Sequence, residues 1–177
     1  MHNTDRNSII DAVYVLNDIF DYLVAGTMVF NKYQTMYESG EFSQPGIVAI
    51  QKMCVSHLIL ALSKLIEFWK HYHYLVPNDL RAEMKATIAK LHSSDLKHFR
   101  NTVVAHIWDK KINRIRTQYE AIELLNRISG NNPKSFLLWL NNPDGNIYPK
   151  NLVSIVETLR DRLRKDYNVS TDEVFNR

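Results

Sequence analysis

At 177 residues, with 45% hydrophobic and 23% charged residues, the chain matches an ordinary globular average and can bury a core without disulfide or metal staples. One cysteine, Cys54, excludes an intramolecular disulfide, and a net charge of +3 does not by itself imply nucleic-acid binding. Only five glycines and five prolines are present, too few for a fold of many tight turns, which favours long helices.

The first predicted element is a helix over residues 5–38. Ile9, Val13, Leu16, Phe20, Leu23, Thr27 and Phe30 recur at steps of four and three and keep to one face. A break at Ser39-Gly40 through Pro45-Gly46 separates it from a second long helix, about 47–74, striped by Ile47, Ile50, Cys54, Leu58, Ala61, Leu65, Phe68 and Tyr72. Pro77-Asn78-Asp79 ends that helix and caps a third, about 79–92. Ser93-Ser94-Asp95 is read as the cap of a fourth, about 95–111. Residues 114–129 read as helical again and stop at Gly130-Asn131-Asn132-Pro133. A short apolar piece, 136–140, precedes a turn cluster at 141–146. A last amphipathic helix covers about 149–166, and residues after Asn168 read as a loose tail.

The fold expected is all-α. It is an up-and-down bundle of four to five core helices in residues 1–130, with residues 131–177 as a C-terminal helical extension and tail of the same domain. With no signal-type N-terminus and no unbroken run of about eighteen apolar residues, a cytoplasmic protein without a membrane span is expected.

Charge is concentrated where the chemistry is expected. Between Lys90 and Arg116 seven basic residues face two acids, so this segment carries +5, more than the whole chain. On an ideal helix Leu96, Phe99, Val103 and Ile107 form one apolar stripe, with Arg100 and His106 on its two shoulders about 120° apart. One helix alone does not bring the two together. A two-fold contact along the stripe would make Arg100 and His106 of two subunits converge. An imidazole titrating near pH 6.5 can serve as base or acid for a ribose 2′-OH or its leaving oxygen, and a guanidinium suits phosphorane oxygens. Asn101 would orient either group, and the scheme needs no metal. Glu67, one position before the stripe residue Phe68, is a candidate partner for Arg100 or His106. Lys97, Lys110, Lys111 and Arg114 are candidate substrate-binding residues on a phosphate-tracking surface.

Phe99-Arg100-Asn101 through Ala105-His106 and Asp109 resembles the RN…AH…D form of the R-x(4–6)-H signature of the HEPN superfamily. Leu62-Ser63-Lys64-Leu65-Ile66-Glu67 is similar to the second-helix segment of its abortive-infection-type members. The resemblance implies a HEPN-like bundle over residues 1–130, a homodimer with its site at the interface through the motif helix, and metal-independent endoribonuclease activity without a cofactor. Arg100, His106 and Asn101 would be catalytic and Asp109 supporting. It further implies RNA cleavage to 2′,3′-cyclic phosphate ends and a toxin or phage-defence role, with a nucleotidyltransferase-like antitoxin as partner.

Plainer readings stand beside these. Arg100 and His106 also suit a helix surface that binds a nucleotide, RNA or protein without cutting it. His98, Thr102 and His106 fall on one helical line, but two histidines eight apart make a poor metal pair. Trp108 and Trp139 can stack on bases or pack internally. Cys54 lacks an acid to complete a triad with His57 and reads as a core residue.

Overall fold

The computed structural model describes residues 5–92, 95–104 and 108–175. The fold is all-α. Its elements are α1 (Arg6–Glu38), α2 (Gln44–Tyr72) continued by a 3₁₀ turn (His73–Leu75), α3 (Asn78–His92), α4 (Leu96–Phe99) running into a π-helical turn (Arg100–Val104), strands β1 (Trp108–Asp109) and β2 (Arg114–Ile115), then α5 (Gln118–Ile128), α6 (Pro133–Leu140), α7 (Leu152–Asp166) and α8 (Thr171–Phe175).

α1 and α2 form an antiparallel hairpin. Three contacts step in opposite directions along the pair: Gln51 Nε2 donates to Gln34 Oε1 at 2.8 Å, Gly26 abuts Leu58, and the Lys64 ammonium pairs with Asp18. Gly26 permits the approach, because a Cβ there would lie 3.0 Å from Leu58 Cδ2. Of the predicted α1 stripe, Ile9, Val13, Leu16, Leu23 and Thr27 are buried; Ala12 and Ile19 are buried beside them. Cys54 is buried on α2, where burial raises its thiol pKa. α7 packs along α1 and buries Leu152, Val153, Ile155, Val156, Leu159 and Leu163 in the same core.

α1 and the stretch Gln44–Leu75 are long and apolar enough to cross a membrane, with mean hydropathy 1.3 and 1.6 over an eighteen-residue window. The absence of an unbroken apolar run had pointed the other way. In this fold the two helices are the central pair: their apolar faces meet each other, and α1 also packs against α7.

Asparagines tie α6 and α7 to the core. Asn141 Nδ2 donates to Thr27 Oγ1 at 2.7 Å in the interior, Asn146 Nδ2 to Asn141 Oδ1 at 2.8 Å, and Asn151 Nδ2 to the Leu138 carbonyl at 2.8 Å. A polar turn is thereby held with its amides satisfied.

Three expectations need correction. The segment after Asn168 is docked, not loose: Val169 and Val174 are buried, Arg6 donates to Glu173 at 2.6 Å, and Ser170 and Glu173 cap α8 reciprocally. The helix expected over 114–129 begins only at Gln118, behind the Thr117–Glu120 capping box. The helix expected over 95–111 keeps α-form only to Phe99, widens into the π turn, and gives way to the hairpin β1–β2. Three local causes act together. Thr102, Val103 and Val104 are consecutive β-branched residues, weak helix formers. Thr102 Oγ1 donates to the His98 carbonyl at 2.8 Å, a back-bond that bends helices. Asp109 Oδ1 accepts from the Lys111 amide at 2.8 Å, and Asn113 adopts φ 54°, which turns the chain back.

Candidate functional site

Arg100 sits in the π turn, an interruption of the kind that often marks functional sites. Its Nη1 donates to Glu67 Oε1 at 3.2 Å and its Nε to Asn101 Oδ1 at 3.2 Å. The Arg100 side chain is 31% exposed and that of Glu67 62%. In water-exposed surroundings such a pair contributes at most about 1 kcal/mol to stability, so its main effect is to aim the guanidinium. Among the described residues, two of its five N–H donors are engaged.

Asp109 belongs to a different group. Its side chain is 1% exposed and lies against Arg116, whose Nε donates to Asp109 Oδ2 at 2.6 Å. Burial pushes this carboxyl up, but the Lys111 amide, the Arg116 hydrogen bond and charge, and nearby His98 outweigh it and hold the pKa below the usual range. His98 Nε2 lies 2.9 Å from Arg116 Nη2 and 3.7 Å from Asp109 Oδ2. This triad, with Asp109 buried and Arg116 and His98 partly buried, ties the hairpin to α4. Asp109 thus contacts Arg116 and His98 and makes no hydrogen bond or ion pair with Arg100.

The basic residues divide likewise. Arg114 is clamped by Glu120 through bonds of 2.9 and 2.6 Å, and that clamp, with the Thr117 amide, lowers the Glu120 pKa to about 2. Lys97, Lys110 and Lys111 are exposed and meet no carboxylate among the described residues. Lys110 and Lys111 stand on the hairpin turn rather than on the expected helix. Trp139 stacks near Phe136, with the Lys90 ammonium 3.6 Å from its ring centre. His106 lies outside the described residues, as do Ala105 and Ile107. Among the described residues no three His, Cys, Asp or Glu side chains cluster closely enough to hold a metal ion.

Beside the π turn lies an open cavity of about 510 Å³. Its walls are α2, the π turn, β2 and α5, with Val55, Val103, Ile122 and Leu125 among its apolar lining and Lys52 and Arg116 as its cations.

No protein-family model matches the chain, and no curated protein matches it. The fold is similar to a solved integron cassette protein from the mobile metagenome of V. paracholerae, with a TM-score of 0.77. The likeness covers 92% of this chain and 98% of that one at 20% identity. At that identity it shows the fold alone.

Of the residues singled out in the sequence, Arg100, Asn101 and Glu67 meet at one place. Asp109, Lys110, Lys111 and Arg114 gather on the hairpin. Sequence reading missed Arg116 and the cavity. The signal for Arg116 was a seven-residue separation from Asp109 across a turn ending at Asn113, visible only to a reader expecting a hairpin.

Proposed function

We propose that the chain is a HEPN-type, metal-independent endoribonuclease that acts as a homodimer through the motif segment in the cytoplasm. Arg100 stabilises the phosphoryl transition state, His106 transfers the proton, and Asn101 orients. The products carry 2′,3′-cyclic phosphate ends, and the biological role is that of a toxin or phage-defence effector beside a nucleotidyltransferase-like antitoxin.

The observation that carries the reading is the presentation of Arg100. It rises from a π turn, is held by Glu67 and Asn101, stays partly exposed, and engages only two of its five donors among the described residues, which suits a phosphate ligand. Exposed Lys97, Lys110 and Lys111 supply further positive charge in the same stretch of chain. The test is incubation of the purified chain with total RNA in EDTA, alongside Arg100→Ala and His106→Ala, with product ends analysed. Cleavage by wild type alone, with cyclic ends, is expected; equal cleavage by all three would overturn the assignment.

A second reading, a non-catalytic binding module, draws support from the cavity directly beside the same turn. Absence of cleavage by wild type, with retained ligand binding, would favour it.

A further inference from the structure

Most residues lining the cavity beside the π turn do nothing in the proposed ribonuclease. Nine of the sixteen carry apolar side chains, two are cationic, and none bears a carboxylate. At about 510 Å³ the cavity falls within the roughly 300–1,000 Å³ usual for small-molecule sites. Its rim keeps two large aliphatic side chains in water, Ile115 at 56% and Ile122 at 47% exposure, although neighbouring Leu124 is fully buried. Shape and lining together call for an apolar body.

The two cations differ. Arg116 is neutralised from behind by Asp109, at 2.6 Å. Lys52 has no such partner among the described residues, and α2 carries no acid before Glu67, so no carboxylate on its own helix lies within a turn. Across the cavity, α5 carries two acids, neither of them in the lining: Glu120 is held by Arg114, and Glu123 is exposed. One uncompensated ammonium at the edge of an apolar trough complements one negative charge on an amphipathic molecule.

We infer that the groove between α2, the π turn and α5 is a binding site for a small monoanionic amphiphile, its apolar body along Val55, Val103, Ile122 and Leu125 and its acid group on Lys52. The wall that α2 supplies runs from Val48 to Ser56, about 12 Å along the helix axis, which suits a medium-chain acyl group. This site is separate from the Arg100 reading and stands whether or not the chain cuts RNA.

The test is calorimetric titration of the full chain with decanoate below its micelle concentration, against decyltrimethylammonium, which has the same chain length and the opposite charge. Saturable binding of one decanoate per chain is expected, at least about tenfold tighter than the cation. Lys52→Glu, at an exposed position that leaves the fold intact, is expected to invert that preference. Ala121→Phe, which fills the trough, is expected to weaken decanoate about tenfold or more, with an unchanged circular dichroism spectrum as its control. Absence of saturable binding would overturn the inference. So would equal affinity for the two amphiphiles, or a preference that Lys52→Glu leaves in place.

Discussion

The α1–α2–α7 core and the segment from Leu96 to Thr117 are built on opposite terms. The core is built on long helices whose buried apolar residues form one cluster, and the apolar pattern repeats along each helix. The segment is a four-residue helix, a π turn and a two-residue hairpin, held by Asp109, Arg116 and His98 and by the clamp of Arg114 on Glu120. Burial is additive and redundant along a helix pair. A buried ion pair is neither, since removal of one partner strands the other. The core should therefore respond to mutation as a whole, and the segment by itself.

The largest expected effect tests the first half of that contrast. Leu16 is fully buried at the centre of α1, and Leu16→Ala should cost about 2–5 kcal/mol through lost transfer free energy and a cavity. Urea unfolding followed by circular dichroism should show one cooperative transition at lower midpoint. A biphasic curve would show that the core is not one unit.

Arg116→Met tests the other half. The substitution preserves volume but leaves Asp109 buried without its cation. Amide exchange in the hairpin is expected to accelerate about tenfold or more while α1 and α2 keep their protection. Equal acceleration in both regions would erase the distinction.

A smaller effect separates local caps from the core. Ser170→Ala removes the acceptor for the Glu173 amide at 3.2 Å and should cost about 1 kcal/mol. The loss should appear as fraying of α8 in amide exchange. Unchanged protection of α8 would show that Val174 alone holds it.

The same contrast explains what the sequence could convey. α1, α2, α3 and α7 were legible because each repeats its apolar spacing over several turns, and no single residue decides the outcome. The π turn and hairpin were not, because Leu96, Phe99 and Val103 continue a helical stripe while Asp109 and Arg116, seven residues apart, decide against it. No periodicity reports such a pair. Two local signals were legible and passed over: Thr117 with Glu120, and Ser170 with Glu173, are capping boxes that place the starts of α5 and α8. At the candidate site, Glu67 beside Phe68 was legible as a partner for Arg100, because a residue flanking a packed stripe sits at the edge of the helix contact. The cavity was not, because its walls come from four elements that meet only in the fold.

The smallest effect concerns acid. Glu120 titrates at about 2 instead of its ordinary 4.5, because Arg114 and the Thr117 amide favour its charged form. A carboxylate with a depressed folded pKa stabilises fully above the unfolded value and loses that contribution as pH falls through the folded one. Glu120→Gln should therefore be less stable than wild type above pH 4.5, and the gap should close as pH falls to about 2. Asp109, also depressed, acts in the same direction but is present in both proteins, so the difference in thermal midpoint isolates Glu120. A gap that stays constant across that range would mean the clamp acts through shape rather than charge. The segment would then resemble the core more closely than its ion pairs suggest.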